Sequence, residues 1–269
     1  MAATVTRRVL VTGCSSPRGI GHATVRALAA LGHRVVATVR HHDNDDALRA
    51  DFEGQVDAIG MDVLDDASIR AALEHVDRAL GGLDVVVNNA GYGLIGGIEQ
   101  CGLDAARAQF ETNYFGTLAL VRHVLPSMRA QGSGHLVSVS SMFVPTLGPM
   151  GIGHYIASKA ALEKAFEALA QEVAPWGIRV TNVQPGPVDT ELSRQWARPA
   201  DDPRPGLIDE LYAWIGARTE IEMESSDAVG GAIAALIEDR DPPPAFQTSG
   251  PATAWVERAL RDPSRRSER

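Results

Sequence analysis

Cysteine is nearly missing from this chain: Cys14 and Cys101 are the only two in 269 residues, far apart and without the spacing of a metal site or a redox pair. That excludes a disulfide framework, leaves no metal site to expect, and makes a reducing cytoplasm the expected compartment. A membrane span is missing too, because no stretch reaches the roughly 18 consecutive apolar residues it needs. The apolar run in the opening "MAATVTRRVLVTG" is also too short for a secretory core. Positive charge is in deficit, with 25 Lys and Arg against 34 Asp and Glu, a net charge of -9 and a pI near 5.4. Such a surface repels nucleic-acid phosphates and anionic lipid, so neither is expected as a partner. Only the tail at about 256–269 is basic, and it reads as a solvated, frayed terminus. Internal repeats and low-complexity segments are absent.

What is present is a regular alternation. An apolar content of 45% with 22% charged residues supports one large core, and residues 1–269 read as one α/β domain rather than two small ones. "RRVLVTG", "GHATVRALAALG" and "HRVVATVR" form a strand, helix, strand unit, and the pattern recurs through "LDVVVNNAG", a helix across "LDAARAQFETNYFGTLALVRHVL", "GHLVSVSS", a helix from about Gly153, and "IRVTNVQPG". Strands that are apolar throughout belong inside a sheet covered on both faces, which predicts a Rossmann-type, doubly wound parallel sheet. Ligands of such sheets sit at the carboxyl ends of the strands. After Gly186 the rhythm breaks, and about 190–225 reads as a cover over that site or as surface decoration. A helix follows at "SDAVGGAIAALIEDR", then a last turn or strand at "DPPPAFQTSG".

The stretch "TGCSSPRGIG" carries the first chemical signal. Gly13 follows a strand, and Gly19 and Gly21, with Ile20 between them, open an amphipathic helix. That order aims the backbone N–H groups of the Ser15, Ser16 and Arg18 loop, and the helix dipole, at an anion. The bland alternative is a tight turn between strand and helix. A dinucleotide fingerprint would end the second strand on an acid that binds ribose hydroxyls, but here Val39 and Arg40 stand there. A cation at that place suits a 2′-phosphate and predicts NADP(H) over NAD(H), with Arg18 as a second positive charge. His41, Asp43, Asp45 and Asp46 follow closely, and an acid among them is the alternative ribose ligand.

In order along the chain, the glycine loop, "MDV" at Met61 to Val63, "NNAG" at Asn88 to Gly91, Asn113 in "TNYFG", Ser141, "YIASK" at Tyr155 to Lys159 and "PGPVDT" at Pro185 to Thr190 resemble the short-chain dehydrogenase/reductase family, from about Arg7 to Thr190. A YxxxK pattern alone is weak; its place in this series is specific. "TGCSS", "VVATVR" and "NNAGYG" are most similar to NADP(H)-preferring members that act on steroids, retinoids and other apolar alcohols or ketones. Two departures stand out. The family's first two loop glycines enclose three residues, whereas Gly13 and Gly19 enclose five, with Pro17 and Arg18 as the insertion. The gap from Ser141 to Tyr155 is one residue longer than is most common, which leaves Ser140 as an alternative catalytic serine.

Tyr155 and Lys159 are four apart near a helix start and so share one face. A phenol of ordinary pKa about 10 needs about 4 kcal/mol to fall by about 3 units. One ammonium at about 4 Å supplies about that much at an effective dielectric of about 20. The resemblance implies that Tyr155 is the general acid or base, that Lys159 lowers its pKa and binds the nicotinamide ribose, that Ser141 binds the reacting oxygen, and that Asn113 links Lys159 to solvent. It implies further cofactor contacts at Asp62 and Val63 beside the adenine, at Asn89, Ala90 and Gly91, and at Pro185, Gly186, Val188 and Thr190; a turn cap is the alternative use of Asp62. Leu192, Trp196, Leu207, Ile208, Leu211, Tyr212, Trp214, Ile215 and Met223 make the cover apolar, which favours a hydrophobic substrate. The resemblance also implies a homodimer or homotetramer built on the helices of Asn113 and Tyr155. A 3-oxoacyl reductase and a non-catalytic NADP(H)-binding sensor are the alternatives; a sensor would be expected to have lost Tyr155, Lys159 or Ser141.

Overall fold

The computed structural model describes residues 5–40, 48, 50–52, 56–146, 148–190, 206–217 and 223–261. Seven strands, β1 (Arg8–Val11), β2 (Arg34–Val39), β3 (Asp57–Gly60), β4 (Val85–Asn88), β5 (Gly134–Val139), β6 (Ile178–Gln184) and β7 (Ala245–Gln247), form one sheet in the order β3-β2-β1-β4-β5-β6-β7. Every pairing is parallel. The chain winds outward from β1 to β3 and then returns to add β4 on the other side of β1, so a crevice opens beyond the carboxyl ends of β1 and β4.

Alternation along the strands divides the apolar side chains between two faces. Val9 and Val11 of β1 pack with Val25 and Leu28 of α1 (Ile20–Ala30) and with Ile233 and Ile237 of a late helix, whereas Leu10 faces the opposite core with Ile69, Val124 and Phe166. That opposite layer consists of α2 (Asp66–Leu80), α4 (Thr117–Gln131) and α5 (Gly153–Val173), preceded by α3 (Leu103–Phe110). Later along the chain come α6 (Leu207–Gly216), α7 (Ser226–Glu238) and α8 (Gly250–Arg261). Gly230 lets α7 lie backbone to backbone on α1, because a Cβ there would sit 2.5 Å from the Ala23 carbonyl carbon and 2.7 Å from Thr24 N. None of these helices is long and apolar enough to cross a membrane.

Two expectations change. The single helix expected across residue 113 is α3 and α4 joined by a π-helical turn, Glu111–Gly116. The tail expected to fray from 256 is instead helical to Arg261, because Ala252 and Val256, one turn apart, bury their side chains against Phe143 and Leu211. Residues 262–269 lie outside the described residues, as do Leu192, Trp196 and the side chains of Ile208, Tyr212 and Ile215 from the expected cover.

Candidate active site

The glycine loop and the loop after β4 are sewn together. Thr12 Oγ1 accepts from Asn89 N at 3.0 Å and Ala90 N at 2.9 Å, while Asn89 Nδ2 donates to Thr12 O at 2.9 Å and Gly13 O at 3.0 Å. Gly13, at φ +72°, has Ala90 Cα 2.7 Å from where its Cβ would be, and a Cβ on Gly21 would meet Gly13 O at 2.7 Å. The extra residues do not disturb these contacts, because Pro17 and Arg18 stand exposed while Gly19 N closes the turn onto Ser16 O at 2.9 Å. Gly19 caps α1 with no side-chain bond, and the first turn of α1 carries no acid. Its N–H groups and dipole are therefore not countered by an acid in that turn, a donor set that fits a dinucleotide phosphate.

The two expected cations part company. Arg40 N donates to Ser15 Oγ at 3.4 Å, which brings the end of β2 beside the loop. Arg18 instead sends Nη2 to within 3.1 Å of Asp189 Oδ2, drawn there by an opposite charge that sequence distance concealed. His41, Asp43, Asp45 and Asp46 lie outside the described residues. Asp62 serves its turn, accepting from Leu64 N at 2.9 Å, and Val63 packs where a Cβ on Gly116 would meet its Cγ2 at 2.7 Å.

At the other end of the crevice Tyr155 and Lys159 project from the first turns of α5. With Ser141, Asn89, Gly91, Pro185, Gly186, Val188 and Thr190 they line one cavity enclosing about 960 Å³ of space open to solvent. Its remaining walls are Ile20, Tyr92, Ile95, Val139, Ser140, Phe143, Ile152, Pro187, Leu211 and Met223. Phe143, Trp214 and Trp255 form edge-on ring contacts, each with centroids 6.2 Å apart, which fasten α6 to α8 behind that wall. Asn113, fully buried in the π-helical turn, grips the main chain of Tyr92: its Oδ1 accepts from Tyr92 N at 3.0 Å and its Nδ2 donates to Tyr92 O at 2.9 Å. The same Nδ2 donates to Ser158 Oγ at 3.0 Å, and Ser158 Oγ donates to Tyr155 O at 2.7 Å. The widened ring of a π turn turns Asn113 inward between two loops, a placement often seen at functional sites.

The lowering of Tyr155 expected from Lys159 is not realised in the protein alone. Burial pushes the Tyr155 phenol up to about 12, although part of its ring stays open to the cavity. Burial also pushes Lys159 down to about 8, with Glu163 acting in the other direction. The physical reason is placement: Lys159 Nζ donates to Val139 O at 2.7 Å and stands 6.0 Å from the Tyr155 ring centroid. Ser141 Oγ accepts from Phe143 N at 3.3 Å at the cavity wall. Ser140 lines the cavity as well, but its Oγ is buried and lies beside the Glu163 carboxylate without a well-aligned hydrogen bond.

Several residues with a part in this site carry no sequence signal of their own. Thr12, Tyr92 and Ser158 act through contacts with distant segments. Glu224, only 7% exposed, accepts from Gly186 N at 2.8 Å, Thr248 Oγ1 at 2.6 Å and Ser249 Oγ at 3.0 Å, and its backbone pairs with Pro187 O at 2.8 Å. Glu163, one turn beyond Lys159, has spacing that could have drawn notice.

Residues 7–201 match the family described as short chain dehydrogenase. Over 196 residues, 69% of its length, the chain is 39% identical to human retinol dehydrogenase 8 and spans 60% of that protein. It is 38% identical over 185 residues to a 3-ketodihydrosphingosine reductase of Bacteroides thetaiotaomicron, covering 68% of this chain and 64% of the relative. These curated relatives are thus matched over less than two thirds of their length. A solved short-chain dehydrogenase from Streptomyces avermitilis superimposes with a TM-score of 0.81 at 33% identity, over 99% of this chain and 95% of that one.

Proposed function

We propose that this chain, which belongs to the short chain dehydrogenase family, moves a hydride between NADP(H) and an apolar ketone, aldehyde or secondary alcohol. The observation that carries the reading is the meeting of Tyr155, Ser141 and Lys159 on one largely apolar cavity that continues to the open N-terminus of α1. Gly13, Ser15, Ser16, Gly19, Ile20 and Gly21 would hold the cofactor phosphates, Arg40 the 2′-phosphate, and Asn89, Ala90, Gly91, Pro185, Gly186, Val188, Thr190 and Lys159 the nicotinamide half. When bound, the nicotinamide supplies or accepts the hydride.

The protein's own part is proton handling and orientation. A phenol held near 12 keeps its proton throughout the neutral range, so Tyr155 is loaded to donate to an oxygen that gains negative charge. Ser141 stands ready to hydrogen-bond that oxygen, and the Lys159 ammonium favours the phenolate left behind. Asn113 keeps both ends of the arrangement in register by holding Tyr92 on one side and Ser158 on the other. Ile95, Phe143, Ile152, Leu211 and Met223 give the cavity an apolar lining that favours an apolar substrate frame. The names of the two relatives, a retinol dehydrogenase and a 3-ketodihydrosphingosine reductase, refer to an alcohol and a ketone on long apolar frames, in keeping with this class. A homodimer or homotetramer acting in the cytoplasm completes the reading.

Tyr155→Phe tests it. Turnover of apolar ketones should be abolished, while NADPH at about 100 times its Kd still stabilises the variant by about 2.7 kcal/mol. Retained turnover would sink the role of Tyr155. Greater stabilisation by NADH than by NADPH would sink the cofactor preference.

A further inference from the structure

Glu163 is the acid that sequence reading passed over. It lies one helical turn beyond Lys159 on α5, and the two residues are 3% and 5% exposed. Its oxygens each accept from Gln184 Nε2 at 3.0 Å, and Gln184 Oε1 in turn accepts from Gln247 Nε2 at 2.6 Å, so strands β6 and β7 hold the carboxylate in place through neutral amides. A buried carboxylate whose hydrogen bonds come from a neutral amide is costly, and a glutamine or an aliphatic side chain would fill the same space more cheaply. The charge therefore has a use, and Lys159 is the buried cation beside it.

We propose that Glu163 is a positioning residue for the reaction, a buried counter-charge that keeps Lys159 protonated. The proposal rests on the oxidoreductase reading above. The groups facing Lys159 from other elements are neutral, namely the Val139 carbonyl of β5, to which it donates at 2.7 Å, and Gly91 after β4, where a Cβ would lie 3.5 Å from Nζ. On its own helix Lys159 stands near the Tyr155 ring and the Glu163 carboxylate. The charged neighbours of Glu163 are Lys164 and Glu167, both on the solvent side and paired with each other at 2.7 Å. Glu163 thus offsets burial in holding the Lys159 proton, and burial holds the carboxyl itself above its usual range.

Lys159 and Lys164 are the only lysines in the chain. Protein labelled with ¹³C-lysine therefore gives two side-chain signals, one buried and one exposed, whose titrations are read separately. In Glu163→Gln the Lys159 midpoint should fall by about one pH unit while Lys164 stays in place. The alkaline limb of kcat/KM for ketone reduction should move to lower pH by the same amount, and Glu163→Asp should restore part of both shifts. A Lys159 midpoint unmoved in Glu163→Gln that still unfolds cooperatively overturns the proposal, as does Glu163→Asp lowering it as far as glutamine does. If Glu163→Gln does not fold, wild type is compared with Glu163→Asp, where a smaller drop in the same direction is expected and no drop overturns the idea. Because the lysine signals need no turnover, a failure of the oxidoreductase reading shows itself separately, as an inactive wild type whose midpoint still moves on substitution.

Discussion

Arg18 Nη2 lies 3.1 Å from Asp189 Oδ2, so the glycine loop touches the segment after β6 across the mouth of the crevice, 171 residues away in sequence. Both side chains are about half exposed, at 48% and 52%, and an exposed pair of this kind contributes only about 0.2–1 kcal/mol. The pair is thus a weak clasp, and it leaves Arg40 as the cation standing beside Ser15 at the end of β2.

Cofactor choice should follow that division. Arg40→Ala is expected to raise the Kd of NADPH about tenfold, the equivalent of about 1.4 kcal/mol, and to leave NADH nearly unchanged. Arg18→Ala and Asp189→Asn should each change either Kd by less than about fivefold. Titration calorimetry with both nucleotides decides it, and a larger loss of selectivity in Arg18→Ala would reverse the assignment.

The two serines at the end of β5 differ in where their hydroxyls lie. Both residues line the cavity, but Ser141 Oγ accepts from Phe143 N, whereas the buried Ser140 Oγ lies beside Glu163. Ser141→Ala should lower kcat about a hundredfold, the scale for losing one donor to a developing oxyanion, and Ser140→Ala should stay within about threefold. Steady-state rates on one ketone are enough, and equal losses in the two variants would refute the distinction.

Where sequence and structure agree, the cause is local. Apolar strands such as "VLV" and "VVV" can only be interior, and the helix period of "GHATVRALAALG" has one face to bury, so the doubly wound sheet was legible. Tyr155 and Lys159 were legible because helical spacing alone puts them on one face. What escaped depends on residues that meet only after folding. Asn113 was legible as a residue but not as part of a π turn clamped to Tyr92, and Glu224 has no local pattern tying it to Gly186. The Arg18–Asp189 pair was not legible because Asp189 approaches from the far end of the chain. The direction of the Tyr155 shift was missed because pairwise attraction to Lys159 was weighed without the burial that opposes it.

Glu224 staples the Pro185–Thr190 segment to the start of α8, and its removal strands three donors at once, Gly186 N, Thr248 Oγ1 and Ser249 Oγ. Glu224→Ala should therefore cost about 3 kcal/mol and lower Tm by about 8 °C in a chain of this size. It should also raise KM for the cofactor, because the segment proposed to hold the nicotinamide half loses its support. Calorimetry and initial rates together test this; a large fall in Tm with an unchanged cofactor KM would confine Glu224 to stability.

Acid sensitivity should centre on His135, which is fully buried in β5. Thr181 Oγ1 donates its one proton to Pro243 O at 3.0 Å, so at its 3.0 Å contact with His135 Nε2 the histidine must be the donor. That fixes the neutral tautomer with Nδ1 bare, and Nδ1 has no partner to receive an added N–H. Burial, with Arg179 and Arg7 adding to it, pushes the pKa down to about 3 from an ordinary 6.5. The unfolded chain therefore takes up a proton near 6.5 that the fold refuses until about 3. The stability linked to His135 is complete above 6.5 and drains away as pH falls toward 3, by at most about 5 kcal/mol. Urea unfolding between pH 7 and about 4 should show this slope in wild type, and His135→Gln, which keeps a donor for Thr181 but cannot titrate, should flatten it. A slope that persists in the variant would transfer the effect to His22 and His33, whose buried rings are shifted in the same direction.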